Sequence, residues 1–214
     1  HRAEHVIGRS GIHETDRNLA LISEFIDKPV NTVRLYPSEA DFSKVSTLKD
    51  TPYVCIAPAS LWFTKQYPKE KWIELIRNIT VDYKVYLLGS GNDHRLCEEI
   101  AQGAGRAQVV NLSGSLTFLQ SAALMKDAVM NFVNDSAPLH LASAVNAPVT
   151  AIFCSTVPEF GFGPLSEGSL VVETRKPLPC RPCGLHGFRE CPEEHFACAM
   201  TIDNQELLNR IQHD

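Results

Sequence analysis

From residue 53 onward the sequence repeats one unit, a short apolar run followed by a stretch with helical periodicity. The runs at 53–57, 84–88, 108–111, 128–133 and 149–153 are mostly continuous rather than alternating, the pattern of strands buried on both faces. The stretches at 69–78, 93–102, 116–125 and 137–144 are helical in pattern, and in the first of them Trp72, Leu75 and Ile76 share one face. Strands alternating with helices over short connections predict an α/β fold, a Rossmann-like doubly wound parallel sheet with right-handed crossovers. Ligands of such sheets bind at the carboxyl ends of the strands, so the residue types just after each strand carry the functional information.

Residues 1–50 do not share this rhythm. They hold one helical stretch at 15–26, with Leu19, Leu21, Ile22 and Phe25 apolar, and then a polar segment at 37–50. They read as a connector, or as the tail of a preceding domain, in front of a domain over 51–214. A closing helix is expected at 203–211 with Asp203 as its N-cap.

Composition narrows the classes. The chain has 214 residues, 44% of them hydrophobic, which is enough for a core without disulfide staples. A net charge of −5 argues against a nucleic-acid binder working through a basic face. No apolar run approaches the roughly 18 residues needed to span a bilayer. The opening His1-Arg2-Ala3-Glu4 has no Met, basic n-region or apolar h-region, so no signal peptide is expected and the chain reads as a piece of something longer. Of seven cysteines, Cys55, Cys97 and Cys154 sit in apolar or helical surroundings and read as small buried hydrophobes. An odd total with three lone thiols fits a reducing cytoplasm.

Three loops hold candidate binding groups. After the first strand, Ser60 and Lys65 could grip phosphate as a hydroxyl donor and a cation; the bland alternative is a solvated lysine in an ordinary loop. After the second comes Gly89-Ser90-Gly91-Asn92-Asp93, whose glycines allow a tight turn. His94 breaks the G-x-G-x-x-G pattern, and Asp93 could either meet ribose hydroxyls or cap the next helix. After the fourth strand, Asp135-Ser136-Ala137-Pro138 opens a helix rich in small residues, and its free N–H groups make an anion site favoured by about 0.3–2 kcal/mol. Asp135 would orient hydroxyls or cap the turn. His140 lies one turn on from Ser136, on the same face, where it could reach a ligand or serve structure alone.

Taken together, these loops resemble the ADP-heptose:lipopolysaccharide heptosyltransferases of glycosyltransferase family 9. The resemblance rests on Asp-Ser-x-x-x-His-x-Ala-x-Ala from Asp135 to Ala144, the strand that follows, Ser155-Thr156-x-Pro158, His13-x-x-Asp16-Arg17 and the cysteine cluster near the end. It implies a GT-B architecture of two Rossmann-like domains, of which this chain is the C-terminal, donor-binding half plus a linker. It further implies that Ser60 and Lys65 hold donor phosphates and that Asp93, after Gly89, faces the ribose. Asp135, Ser136, Ala137 and His140 would surround the diphosphate and sugar. The implied donor is a nucleotide diphosphate sugar resembling ADP-heptose, and the acceptor a lipopolysaccharide core held by a domain outside this sequence. That domain would also carry the catalytic base, so neither Asp16 nor Asp41 is assigned to the role. A lipid-linked acceptor implies a cytoplasmic enzyme in peripheral contact with the inner face of the inner membrane. Two departures stand out: Ala137 replaces a more usual Gly, and Asp93 replaces a longer Glu.

Glycosyl transfer through an oxocarbenium-like transition state requires stabilisation of negative charge on the departing diphosphate. Lys65 and the helix start at Ser136 suit that task with no cofactor required. Other Rossmann-type nucleotide enzymes, or an isolated nucleotide- or zinc-binding module, are the alternative classes. The four remaining cysteines, Cys180, Cys183, Cys191 and Cys198, have the spacing C-x2-C-x7-C-x6-C. They could close a tetrahedral structural zinc site, with His186 and His195 as substitute ligands, form two disulfides, or remain free thiols.

Overall fold

Strand β1, Tyr53–Ala57, is buried along its whole length, and its side chains divide between two cores. Val54 and Ile56 face one side with Trp72, Leu75 and Ile76, while Tyr53, Cys55 and Ala57 face the other with Leu124, Leu139 and Ala142. Such two-sided burial is possible only when helices cover both faces. The computed structural model describes residues 11–80 and 82–211; the opening His1 to Glu4, considered above for a signal segment, lies outside them.

The sheet contains β1, β2 (Lys84–Leu87), β3 (Val109–Asn111), β4 (Met130–Asn134), β5 (Val149–Phe153) and β6 (Leu170–Glu173). All five strand pairings are parallel, in the order β3-β2-β1-β4-β5-β6. The first connection leads from β1 through α3 (Lys69–Arg77) outward to β2, and α4 (His94–Ala104) leads on to β3. The chain then returns through α5 (Phe118–Lys126) to β4, on the opposite side of β1. Helix α6 (Ala137–Ala144) continues outward to β5. The direction of winding therefore reverses between β1 and β4. At such a switch point the loops after the two central strands part and leave a crevice.

All five expected strands form, two with the expected ends and three with ends shifted by one or two residues. The sixth, β6, is an addition: Leu170 is exposed and only Val172 is buried in this edge strand, so its apolar signal is weak. Within the segment read as a connector, residues 14–21 form α1 (Glu14–Leu21), shorter than expected. Residues 39–45 form α2 (Glu39–Val45), whose start is fixed by a Ser38–Asp41 capping box. Helix α2 belongs to the packing of the sheet domain. Val45 is fully buried in the second core, the Tyr86 hydroxyl donates to Leu48 O at 2.6 Å, and Lys49 pairs with Asp127 at 2.5 Å. A seven-residue helix is too short to show a clear periodicity, which is why composition alone suggested a polar link. The closing region forms α7 (Ala197–Met200) and α8 (Asn204–Leu208), the latter capped by Asp203 as expected. No helix among the described residues is long and apolar enough to cross a membrane.

Helix α1 is held to the loop after β5 by a buried arginine. The Arg17 guanidinium donates to Ile12 O and Phe160 O at 2.6 Å each and pairs with Glu14 at 2.8 Å. Glu14 N–H donates to Gly161 O at 2.8 Å. Gly161 adopts φ +95°, and a Cβ there would stand 2.3 Å from Ile12 O and 2.6 Å from an Arg17 nitrogen. Gly161→Ala should therefore cost about 1–3 kcal/mol of docking. The expected outcome is faster tryptic cleavage after Arg17, with the thermal midpoint of the sheet domain little changed. Unchanged protection of that site would show that the contact does not hold α1.

Candidate functional site

The loop between β1 and α3 reaches across the switch point and is tied down by a residue of β4. Asn134 is fully buried at the end of that strand. Its amide nitrogen donates to Pro58 O at 2.7 Å, and its oxygen accepts from Tyr67 N–H at 3.0 Å. One side chain thus closes both ends of the 58–67 loop. Inside it, residues 63–65 form a single 3-10 turn, and the Gln66 amide donates to Ser60 O at 2.6 Å.

This framework brings Lys65 to Asp135. The Lys65 Nζ lies 2.7 Å from Asp135 Oδ2, with side-chain exposures of 15% and 8%. The same Oδ2 accepts from the buried Thr156 hydroxyl at 2.7 Å. Asp135 is therefore gripped from the loops after β1 and β5 at once. Directly after it, α6 begins at Ser136 with no side-chain hydrogen bond capping its first turn and with Pro138 in that turn. Pro138 carries no N–H and Leu139 N–H donates to Ser136 O at 3.0 Å, which leaves the Ala137 N–H for an incoming acceptor, and the helix end carries partial positive charge. Ala137 is exposed at this point.

His140 follows one turn later. Although the residue as a whole is exposed, crowding around the imidazole ring lowers its pKa from the usual 6.5; Asp135 opposes that shift, and His13 and Lys65 add to it. His13 reaches this neighbourhood from the N-cap of α1, where its Nε2 lies 3.1 Å from Gly163 O. Lys65, Asp135, the start of α6, His140 and His13 thus converge at the carboxyl edge of the sheet.

Gly89 and Asp93 lie after β2, the neighbour of β1 on the other side. Asp93 Oδ2 accepts from both Ser90 N–H and the Ser90 hydroxyl at 2.7 Å, so one carboxylate oxygen performs the capping task weighed above. The expected helix start at Asp93 is a 3-10 turn, and α4 proper begins at His94. A side chain on Gly89 would meet Asp93 Cβ at 2.9 Å, which accounts for glycine there. Ser60 lies in the Asn134-tied loop and is partly buried.

Cys55, Cys97 and Cys154 are buried as expected, and burial raises all three thiol pKa values, that of Cys97 to about 11. Cys180, Cys183, Cys191 and Cys198 line one cavity of about 260 Å³ together with Glu193 and His195. All four are free thiols. Among the described residues no group of three or more His, Cys, Asp or Glu stands in an arrangement that would hold a metal ion.

A second cavity, about 690 Å³, lies beneath residues 31–37 against the end of α6, and its lining includes Arg34, Lys126 and Asn146. Of the converging groups only His13 reaches it. The Lys65–Asp135 pair lines neither cavity and is identified by its charges. Asn134 was not among the residues singled out from the loops, whereas Thr156 and His13 stand in the motifs quoted above. A polar residue ending a buried strand is the local signal that could have marked Asn134.

Residues 2–187, which include all six strands and the Lys65–Asp135–His140 group, match the family model "Glycosyltransferase family 9 (heptosyltransferase)". Lipopolysaccharide heptosyltransferase 2 of Escherichia coli strain K12 is 26% identical over 207 residues, covering 92% of this chain and 57% of the relative. The crystal structure of the glycosyl transferase family 9 protein from Veillonella parvula aligns with a TM-score of 0.79 at 16% identity, over 96% of this chain and 60% of its own. The structure of E. coli heptosyltransferase WaaC with ADP aligns with a TM-score of 0.60 at 20% identity, over 78% and 52%. The chain thus spans somewhat over half the length of these relatives. With the doubly wound sheet in place and the family match running through every strand, the chain belongs to glycosyltransferase family 9, the heptosyltransferase family.

Proposed function

We propose that this chain is the donor-binding half of a heptosyltransferase-like glycosyltransferase, and that it binds a nucleotide diphosphate sugar resembling ADP-heptose. The observation that carries the proposal is the pairing of Lys65 with Asp135 at 2.7 Å beside the start of α6, which no side chain caps. A diphosphate placed there meets a lysine cation and a helix N-terminus together, a donor set suited to an anion. Asp135 then exchanges its bond to Lys65 for bonds to sugar hydroxyls. A solved structural neighbour described as being with ADP supports an adenosine diphosphate donor.

In this scheme Lys65 and the Ala137 N–H at the start of α6 stabilise charge on the departing diphosphate, with no cofactor required. The acceptor, a lipopolysaccharide core, and the base that deprotonates its hydroxyl belong to the part of the enzyme that this sequence does not include. The setting is the cytoplasm, in peripheral contact with the inner face of the inner membrane where a lipid-linked acceptor lies.

Three outcomes follow. Titration calorimetry should show Lys65→Ala and Asp135→Ala each weakening ADP-sugar binding at least tenfold, about 1.4 kcal/mol. Asp135→Ala should affect the ADP-sugar more than ADP alone. Wild-type affinity in both variants, or a preference for NAD over every sugar nucleotide, would sink the assignment. Secondly, ADP affinity should be the same with and without EDTA, and a collapse on chelation would assign the phosphate charge to a metal. Thirdly, the lowered pKa of His140 leaves the imidazole neutral in the free protein at pH 7. A bound diphosphate favours the imidazolium, so binding near pH 6 should draw a proton from the buffer. Calorimetry in two buffers of different ionisation enthalpy reads this uptake, and His140→Gln should abolish it.

A further inference from the structure

The lysine assigned above sits on a four-carbon flexible stem, so its aim depends on what fixes the backbone and the stem below it. Lys65 is preceded by Thr64, which is 1% exposed and whose hydroxyl oxygen has three hydrogen-bond partners. It accepts from Phe188 N–H at 2.7 Å and from the fully buried Ser155 hydroxyl at 3.0 Å, and it donates to Phe188 O at 3.3 Å. Thr64 N–H also donates to Phe188 O at 3.1 Å. Two rungs therefore join the loops after β1 and β5. Thr64 bonds Ser155, and the next residue, Lys65, reaches Thr156 through Asp135. A shift of one rung displaces the other, because each is one residue along the same two segments.

The segment carrying Phe188 is itself anchored to the carboxyl end of β5. Cys183 N–H donates to Ser155 O at 2.8 Å, and the Arg181 guanidinium donates to Cys154 O at 2.8 Å and Thr156 O at 2.7 Å. At its tip, Gly187 adopts φ +78° and lies against the lysine stem. A Cβ there would stand 2.8 Å from the Thr64 hydroxyl, 3.0 Å from Lys65 Cγ and 3.2 Å from the Ser155 hydroxyl.

We propose that Thr64 is a positioning residue for Lys65, and that the cysteine-bearing segment around Gly187 and Phe188 is the strut that holds it through the Thr64–Ser155 rung. This rests on the donor-site assignment for its consequence in binding, though the geometry it tests does not depend on that assignment. The same arrangement gives the 180–188 segment a task at the site that needs nothing bound to its thiols.

The test compares wild type with Thr64→Val, which keeps the shape and removes the hydroxyl, and Thr64→Ser, which keeps the hydroxyl. Two quantities are read: the acylation rate of Lys65 by acetic anhydride, mapped by mass spectrometry with Lys84 as internal control, and ADP affinity by calorimetry. Thr64→Val is expected to speed Lys65 acylation several-fold while leaving Lys84 unchanged, and to weaken ADP binding by about tenfold. Thr64→Ser should restore both. A general loss of stability would move both lysines together, which separates positioning from a merely structural role. A folded Thr64→Val protein that acylates Lys65 at the wild-type rate overturns the proposal. Should Thr64→Val fail to fold, Ser155→Ala removes the same rung from its other end and is read identically. If wild type itself shows no affinity for ADP, the donor assignment fails, while the acylation comparison still decides the role of Thr64.

Discussion

The carboxyl edge of this sheet depends on the buried amide of Asn134. It is the last residue of β4, on the far side of the winding reversal from β1, and it satisfies a carbonyl and an N–H at the two ends of the loop that follows β1. Without it, a buried donor and a buried acceptor would each lack a partner, at about 1–3 kcal/mol apiece. The loop would also lose the constraint that delivers Lys65 to Asp135. A parallel sheet leaves every strand end to be met by a loop, and where two such loops diverge something must bridge them. Here that bridge is polar because the groups it meets are backbone groups.

The ion pair built on this bridge is a poor candidate for a stability device. Lys65 and Asp135 keep little solvent contact, and taking two charges from water offsets much of their mutual attraction. What the pair provides is direction. In the proposed donor site it sets a flexible cation at the mouth of a helix N-terminus, a preorganisation that would reduce the ordering cost of binding. The carboxylate is in turn fixed by Thr156, so the preorganisation rests on a hydroxyl in the next loop of the sheet. Loops after β1, β4 and β5 hold one another, and the segment from Arg181 to Phe188 completes the frame.

Much of this was legible before any fold was in hand. The signals of the four inner strands, β1, β2, β4 and β5, are apolar runs that have no stable alternative to burial, and Lys65, Asp135, Ser136 and His140 fall where a parallel sheet presents its ligand groups. Strand β6 and helix α2 were not legible. Both are short and half exposed, and both are held by partners distant in sequence: Val172 by the strand beside it, and Val45 with Lys49 by the α5 region. Asp93 illustrates a different limit. Its two roles, capping a turn or meeting a ribose, call for the same residue at the same place, and only the geometry shows one oxygen taken up by Ser90.

The sequence by itself determined the layer architecture, the end of the sheet that matters and the family to which the chain belongs, because strand periodicity, small-residue helix packing and glycine turns are local properties. The tertiary structure alone decided which of the candidate groups meet. Lys65 and Asp135 are 70 positions apart, Thr64 and Phe188 are 124 apart, and Arg17 and Phe160 are 143 apart. No local preference encodes such pairs. They exist because the crossovers return the chain to one edge of one sheet, where buried polar groups that find no water must find each other.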